Sequence, residues 1–227
     1  MSLEHSGNDA SSDFSTAEEF IRARMHVVPL PFVPEVRLYT AHPGSGLRRL
    51  VEARDAESSP PYWAYPWAGG TVLARYFLDR PETVVGRRVL DLGAGSGLVG
   101  IAAAKAGAGE VIAAEIDHNG IAAIGLNAAE NDVAISIVGN DLTPGPPPQV
   151  DLIAVGDLYY ERDLADRVTR FLDRCLNAGI DVLIGDPGRA HLRRSRLLTL
   201  AEYRVPDFGL ARDAGIAPSA VYSLVQA

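Results

Sequence analysis

A short glycine-rich segment constrains the fold of this chain more than any other feature. The apolar run Arg88–Leu92 is followed at once by Gly93, Gly95 and Gly97, and then by small apolar residues over 98–106. This order is typical of a buried strand that turns through a loop into a helix at a nucleotide site. Glycine in the loop lets the backbone take positive φ and approach a ligand closely. The segment therefore predicts a βα unit of a nucleotide-binding α/β fold.

Strand and helix patterns alternate through the rest of the chain. We predict helices over 71–80, 97–106, 118–131, 164–175 and 190–202. We predict strands over 88–92, 110–115, 134–138, 151–155 and 181–185, with two more near 204–210 and 218–225. Such alternation implies βαβ crossovers and a sheet that is covered on both faces. We therefore predict a doubly wound α/β fold, in which a seven-stranded, mostly parallel sheet ends in an antiparallel C-terminal hairpin.

The N-terminal part of the chain lacks this regular pattern. Residues 1–15 are rich in Ser, Asp and Gly, so we expect a disordered tail. Thr16 and Glu19 have the spacing of a capping box, which opens a short helix. We expect residues 16–70 to form an N-terminal extension that packs on the core, and residues 71–227 to form the α/β domain.

Composition excludes several classes of function. The net charge of −8 and the pI near 5.1 argue against a nucleic-acid partner. No run approaches the roughly 18 apolar residues that a membrane span needs, so we expect no membrane partner. Cys175 lies on the apolar side of a helical pattern, and we interpret it as a buried structural thiol. The histidines lack metal-ligand spacing, so we expect no metal.

Three acids accompany the glycine loop. Asp91 ends the first strand, Glu115 closes the second about 20 residues later, and Asp141 follows the third. Glu115 would accept hydrogen bonds from both ribose hydroxyls of a nucleotide, and Asp141 could meet an adenine amino group. Residues 95–100 also satisfy the dinucleotide pattern, and Glu115 suits an NAD ribose equally well. A nicotinamide-dependent oxidoreductase is therefore an alternative at this point.

The charge of the loop favours a different cofactor. Asp91 lies where a dinucleotide-binding strand is normally apolar, and a cluster of acids would repel a pyrophosphate. A sulfonium cofactor carries positive charge and no phosphate, so the same acids would help to bind it. The chain also lacks a second mononucleotide-binding half. We therefore predict S-adenosylmethionine, with S-adenosylhomocysteine as product.

Several segments carry a resemblance to known enzymes. Residues 89–97, together with Glu115 and the terminal hairpin, resemble the seven-β-strand methyltransferases, which have the Rossmann-like class I fold. The segments 61–70, 156–166 and 183–189 resemble the family of lysine methyltransferases that modify the β subunit of electron transfer flavoprotein. The similarity runs from about residue 20 to the C-terminus. The glycine motif is shared by the whole superfamily, whereas these other segments are much more specific.

The resemblance implies an acceptor site after the fourth strand. Family members place an Asp-x-x-Tyr segment there, lining the target-lysine channel, and here it is Asp157–Tyr160. Lysine has a pKa of about 10.4 and must lose a proton before it can accept a methyl group. Our hypothesis is that Asp157 attracts and orients the incoming amine, while Tyr160 stacks on its alkyl stem. Loss of the proton to water would need no dedicated general base.

Other residues complete the predicted site. Trp67 and Gly156 are assigned to the cofactor, with core packing as the alternative for Trp67 and for Trp63. Substrate-binding roles are assigned to Tyr159, Asp186 and Arg189. A turn with a structural Asp–Arg ion pair is the alternative for the last two.

The resemblance also implies the partner. We expect a protein substrate, the flavoprotein β subunit, with another protein lysine, such as one of a ribosomal protein, or a small-molecule amine as alternatives. A catalytically silent cofactor-binding module is disfavoured by the acid at the acceptor side. Lys105 is the only lysine in an Ala- and Arg-rich chain, which indicates a bacterial member of the family. We expect a monomer in the bacterial cytoplasm.

Overall fold

The computed structural model describes residues 16–47, 60–207 and 218–226. The helices are α1 (Ala17–Arg24), α2 (Ala68–Asp79), α3 (Leu98–Lys105), α4 (His118–Glu130) and α5 (Arg162–Asn177). The strands are β1 (His26–Leu30), β2 (Val33–Thr40), β3 (Arg88–Leu92), β4 (Glu110–Ala114), β5 (Ser136–Val138), β6 (Leu152–Gly156), β7 (Asp181–Asp186), β8 (Leu197–Arg204) and β9 (Pro218–Leu224). The predicted tail, residues 1–15, lies outside the described residues.

The main sheet has seven strands in the order β5-β4-β3-β6-β7-β9-β8. Strands β3 to β7 run parallel, and β9 runs antiparallel to both of its neighbours, β7 and β8. The predicted mostly parallel sheet with an antiparallel C-terminal hairpin is confirmed. The chain reverses strand order between β3 and β6, which is where open α/β sheets bind ligands.

The predicted helix over 190–202 is wrong. A single 3₁₀ turn, Arg194–Arg196, precedes β8, and β8 pairs with β9 from Leu197 opposite Leu224 to Arg204 opposite Pro218. Leucine-rich segments favour helix locally, but pairing with β9 satisfies the backbone of this segment within the sheet. Tertiary context therefore overrides local propensity here.

Strand β1 was not predicted because Pro29 interrupts its pattern. It pairs with β2 alone, in a separate two-stranded sheet, with His26 opposite Thr40. Proline is tolerated there because an edge strand can lack one ladder donor. The side-chain amides of Asn127, on α4, and of Asn131, its C-cap, bond to the backbone of β2 and tie this small sheet to the α/β core.

Helices cover both faces of the main sheet. On one face α2 and α3 bury Val72, Phe77 and Val99 against the strands, and on the other α5 buries Phe171. Cys175 is also fully buried on α5, which confirms the structural thiol, and burial raises its pKa to about 11. A thiol with so high a pKa is inert as a nucleophile at neutral pH.

Two kinds of feature are absent from the described residues. None of the helices among them combines the length and apolar character needed to cross a membrane. Within the same residues, no group of three or more His, Cys, Asp or Glu side chains is arranged to hold a metal ion.

Candidate active site

A pocket opens beyond the carboxyl ends of β3 and β6, between the glycine loop and the start of α2. The structure brings six of the predicted site residues into its wall: Trp67, Asp91, Gly93, Gly95, Gly156 and Asp157. Tyr62 and Tyr65, which were not assigned a role from the sequence, line it as well. The pocket occupies the switch point of the sheet, as expected for a nucleotide site.

The glycine loop has the backbone geometry that its sequence predicts. Gly93, Gly95 and Gly97 have φ values of 70°, 55° and 80°, all in the left-handed region. Any side chain at these positions would be strained. Gly97 ends the loop as the N-cap of α3, so the loop leads directly into the helix.

Asp91 lies in the pocket wall but is almost completely buried. Its Oδ2 accepts a hydrogen bond of 2.9 Å from the N–H of Gly100, which ties the end of β3 to α3. Burial raises the pKa of Asp91 to about 7, and the nearby Glu115 adds to this rise. Asp91 therefore holds strand and helix together, and a direct charge interaction with a cofactor stays a prediction.

Glu115 contacts the glycine loop directly. Its Oε2 accepts a 2.7 Å bond from the N–H of Gly95, and its Oε1 accepts bonds from the N–H groups of Ile116 and Asp117. The carboxylate is thus fixed beside the loop by three backbone donors. This position is compatible with the ribose contact, which stays a prediction.

Asp141 is more distant from the pocket wall. Its side chain is exposed, Oδ1 accepts bonds from the N–H and hydroxyl of Thr143, and Oδ2 lies 3.4 Å from Nε of Arg167. Both carboxylate oxygens already have partners within the protein. The predicted contact with adenine is not tested by this arrangement.

Asp157 caps helix α2 from outside the helix. Trp67 is the N-cap of α2 and offers no side-chain acceptor, whereas Oδ2 of Asp157 accepts a 3.1 Å bond from the N–H of Gly70. A carboxylate at a helix N-terminus is also favoured by the helix dipole. Asp157 itself has a φ of 57°, a conformation that few residues other than glycine adopt. Strain of this kind concentrates at functional sites.

Glycines allow α2 to approach the sheet this closely. A Cβ at Gly69 would overlap the carbonyl oxygen of Gly185, and a Cβ at Gly185 would overlap that of Gly69. A Cβ at Gly156 would lie 3.0 Å from the Cα of Gly70. The start of α2 therefore packs backbone against backbone on the ends of β6 and β7.

Arg189 connects two buried carboxylates. Its Nη2 and Nε donate to Oδ1 of Asp157 at 2.8 Å and 3.2 Å. Its Nη2 and Nη1 donate to Asp207, at 2.9 Å to Oδ1 and 2.8 Å to Oδ2. The guanidinium also lies over the ring of Trp67, 5.8 Å from its centroid. Burial raises the pKa of Asp157 to about 6, against the opposing effect of Arg189.

Asp207 was missed because nothing in the local sequence distinguishes it. It follows β8, and the topology places it beside residues 18 and 50 positions earlier in the chain. No short motif contains all three members of the Asp157–Arg189–Asp207 cluster. The contact could have been predicted only from the order of the strands in the sheet, in which β9 lies between β7 and β8.

Asp186 has a structural position. It is fully buried, and its Oδ1 accepts 2.6 Å bonds from the N–H groups of Gly188 and Arg189. Its Oδ2 has no hydrogen-bond partner among the described residues, and burial raises its pKa. Asp186 thus shapes the turn that presents Arg189, while the side-chain ion pairs of Arg189 are with Asp157 and Asp207. The predicted substrate contact of Asp186 stays untested.

The two tyrosines after Asp157 differ in position. Tyr159 is buried in the core against α5, and burial raises its pKa. Its side chain packs in the core, and the predicted substrate contact of Tyr159 stays a prediction. Tyr160 is 46% exposed, and its ring centroid lies 5.5 Å from that of Tyr62.

Aromatic rings form a rim along the pocket. Trp67 packs edge-on against Tyr62 and Tyr65, at centroid distances of 5.8 Å and 6.1 Å, and its Nε1 donates to the carbonyl of Tyr62. Core packing is not the role of this half-buried indole. Trp63, by contrast, is buried among the residues between α1 and α4, which supports the core-packing alternative for it.

Comparison with known proteins places this geometry in a family. A family model for ribosomal protein L11 methyltransferase (PrmA) matches residues 70–155. The electron transfer flavoprotein β subunit lysine methyltransferase of Danio rerio is 42% identical over 71% of this chain, which spans 65% of the fish protein. That of Xenopus laevis is 36% identical over 90% of this chain and 85% of its own length. The chain belongs to this lysine methyltransferase family.

A solved structure agrees with the fold. The ribosomal protein L11 methylase of Lactobacillus delbrueckii subsp. bulgaricus superposes with a TM-score of 0.50 at 26% identity, over 69% of this chain and 79% of that one. Membership of a methyltransferase family favours S-adenosylmethionine, the predicted donor, over the nicotinamide-dependent alternative. The family was predictable from the sequence.

The residues of the pocket fit this cofactor. Gly93 and Gly95 line the pocket with backbone atoms alone, because neither residue has a side chain. Glu115 stands beside the loop as an acceptor for hydroxyl groups, and aromatic surface at Trp67 and Tyr65 is available for an apolar portion. The charged residues of the wall itself, Asp91 and Asp157, are both acids, which suits a cationic ligand without phosphate.

Proposed function

We propose that this protein transfers methyl groups from S-adenosylmethionine to lysine side chains of the β subunit of electron transfer flavoprotein. The observation that carries the proposal is the position of Asp157, a buried carboxylate in the wall of the glycine-loop pocket. The choice of the flavoprotein β subunit as substrate follows the names of the two animal relatives. The chain spans 65% of the first of them, so the substrate is proposed here for this chain rather than transferred to it.

The acceptor side of the pocket suits an amine. When bound, S-adenosylmethionine supplies a methyl group on a positively charged sulfur, which an amine takes by in-line displacement. Asp157, with a pKa of about 6, is ionised at neutral pH and attracts the lysine ammonium. Desolvation in the pocket lowers the pKa of the amine, which then releases its proton to water. Held by Asp157, the neutral nitrogen is positioned for transfer.

The other assigned residues divide between the two ligands. We assign Gly93, Gly95 and Glu115 to the nucleoside of the cofactor, because they form and flank the loop at the pocket. Tyr160, half exposed beside Tyr62, is assigned to the alkyl stem of the lysine. Trp67 is assigned to the boundary between the two, since it lines the pocket and also contacts Arg189.

A ribosomal protein is a second candidate substrate. The family model that matches residues 70–155 and the superposed Lactobacillus structure both carry the name of ribosomal protein L11 methylation. The matched segment contains the glycine loop but ends before Asp157, so it covers the cofactor side of the site rather than the acceptor side. For this reason we rank L11 below the flavoprotein.

We propose further that the protein is a monomer in the bacterial cytoplasm, with no nucleic-acid or membrane partner. Its composition supports a bacterial source, since Lys105 is its only lysine and arginine supplies the other basic charges. The net charge of −8 supports a partner that is not a nucleic acid. Both relatives named above are animal proteins, so the proposal of a bacterial source depends on composition alone.

One experiment tests the proposed substrate. Purified flavoprotein heterodimer and purified L11 are incubated separately with the enzyme and S-adenosylmethionine, and intact masses are recorded over time. We expect additions of 14 Da, one for each methyl group, on the β subunit, and peptide mapping should place them on lysine. Methylation of L11 alone would replace the first candidate by the second, and methylation of neither would refute both.

A further inference from the structure

The negative charge of Asp157 is balanced by a neighbouring arginine. Arg189 donates two hydrogen bonds to Asp157, so the two residues together form a neutral ion pair. A neutral pair beside a positively charged cofactor would leave this side of the cleft with no net attraction for an ammonium group. The carboxyl of Asp186 lies nearby, but burial raises its pKa and so disfavours its ionised form. A further negative charge would therefore favour a cationic acceptor.

Asp207 supplies that charge. Its carboxylate binds the Nη1–Nη2 edge of Arg189, next to the Nε–Nη2 edge that binds Asp157, with both oxygens engaged at 2.9 Å and 2.8 Å. The side chains of Asp157, Arg189 and Asp207 are only 11%, 19% and 4% exposed, so solvent screens their charges weakly. With both acids ionised, the cluster has a net charge of −1.

We propose that Asp207 is a specificity-determining residue, which gives the Asp157–Arg189–Asp207 triad its net negative charge and thereby selects a cationic amine as the methyl acceptor. The inference deepens the proposed function, because it rests on lysine as the acceptor. Asp207 acts through Arg189 and touches no reacting atom, so it is a positioning residue rather than a catalytic one. Arg189 in turn holds Asp157 ionised, since it opposes both burial and the nearby Asp186.

The charge hypothesis makes a specific kinetic prediction for Asp207→Asn. The variant keeps the size of the side chain but makes the triad neutral. We expect the KM for the acceptor protein to rise about tenfold at pH 7.5, which corresponds to a tenfold loss of affinity for the cation. The kcat should change less than about twofold, because the transfer geometry at Asp157 is retained.

Two controls separate charge from structure. Asp207→Glu restores the charge and should recover most of the affinity for the acceptor. Asp173→Asn removes one acid from the Arg196–Asp173 ion pair, which is 2.6 Å long and lies between α5 and the start of β8. This variant should leave KM and kcat unchanged. Calorimetry with S-adenosylhomocysteine checks that each variant retains a folded pocket.

A double variant gives the most discriminating measurement. Arg189→Met combined with Asp207→Asn leaves Asp157 alone, so that the net charge returns to −1. Removal of Arg189 raises the pKa of Asp157, so the comparison is made at pH 8.5, where a larger fraction of this carboxyl is ionised than at pH 7.5. We expect a KM below that of Asp207→Asn alone. A purely structural role for the triad predicts the reverse, because two sets of bonds are then lost.

Failure of the role of Asp207 and failure of the proposed lysine methylation would give different results in these experiments. If the wild-type enzyme methylates lysine and Asp207→Asn has an unchanged KM, the triad does not set specificity and the inference fails alone. It also fails if kcat falls at constant KM, or if the double variant is worse than the single one at pH 8.5. If the wild-type enzyme binds S-adenosylhomocysteine but methylates no lysine in either candidate protein, the proposed function fails first.

Discussion

The contact between α2 and the sheet predicts opposite effects for two adjacent substitutions. Gly69 and Gly70 both lie in the first turn of α2. A Cβ at Gly69 would overlap the carbonyl oxygen of Gly185 and lie 2.6 Å from Oδ2 of Asp157, whereas a Cβ at Gly70 meets only Val99, at 3.7 Å. The methyl group of Gly69→Ala therefore forces the backbone of α2 away from the backbone at Gly185. The methyl group of Gly70→Ala can be accommodated without such a shift.

The magnitudes follow from these contacts. Overpacking at Gly69 costs about 1–3 kcal/mol of the free energy of unfolding. The displaced helix also loses the bond from Gly70 to Asp157, which contributes about 1 kcal/mol. Gly70→Ala should instead gain roughly 0.5 kcal/mol, because alanine favours helix over glycine. The two variants should thus differ by about 2.5–4.5 kcal/mol, and their Tm values by on the order of 10 °C.

Urea denaturation and calorimetry measure this difference. The affinity for S-adenosylhomocysteine provides a second readout, because the start of α2 forms part of the pocket. We expect Gly69→Ala to bind the product at least about tenfold more weakly, in line with a displaced pocket wall. Unfolding free energies that agree within about 1 kcal/mol would show that α2 does not pack on Gly185 as described, and would refute the reasoning.

The remaining predictions concern titration and the acceptor. Asp157→Asn should lower kcat/KM more than about 100-fold while product binding stays within about threefold, and the wild-type kcat/KM should fall below pH 6 as Asp157 is protonated. The pKa of Asp91 is raised to about 7 in the folded state, so its stabilising contribution is full below pH 4 and is lost as the pH rises toward 7. Asp91→Asn should therefore gain unfolding free energy relative to wild type over that window, by up to about 1.4 kcal/mol per pH unit in urea titrations. Tyr160→Ala should raise the KM for the acceptor about tenfold, whereas Tyr160→Phe should not change it, if the ring packs on an alkyl stem. A wild-type kcat/KM that does not change with pH would contradict the role of Asp157. Unfolding free energies of wild type and Asp91→Asn that change in parallel with pH would contradict the raised pKa of Asp91. Equal KM values for Tyr160→Ala and Tyr160→Phe would contradict the role of the ring.

Much of the fold was predictable because the local periodicity of apolar residues indicates its strands and helices. The strand before Asp91 and the amphipathic helix around Phe171 are each specified by residues close in sequence, so their patterns are legible without the structure. The segment at 197–202 was misassigned as helix because its strand conformation depends on β9, which lies further along the chain. Strand β1 was missed for the same reason, since only its pairing with β2 stabilises a strand that contains Pro29.

The residues of the candidate site likewise fall into those with a local sequence signal and those without one. The glycine loop and Glu115 were identified from the pattern of the βα units. Gly93 and Gly95 line the pocket, and Glu115 accepts a hydrogen bond from the N–H of Gly95. Tyr159 could not be distinguished from Tyr160 in sequence, because adjacent residues after a strand point in different directions and only the packing against α5 shows which is buried. Asp207 carried no local signal, because its contact with Arg189 depends on the order of strands in the finished sheet.

The central claim is that this chain methylates lysine at a site formed by Asp157 and the glycine loop. Intact-mass spectrometry of purified electron transfer flavoprotein, after incubation with S-adenosylmethionine and either wild-type enzyme or Asp157→Asn, tests it most directly. The account predicts methyl additions on lysines of the β subunit with wild-type enzyme and none with the variant, although both bind S-adenosylhomocysteine. An unmodified β subunit with active, cofactor-binding enzyme, or equal methylation by Asp157→Asn, would contradict it.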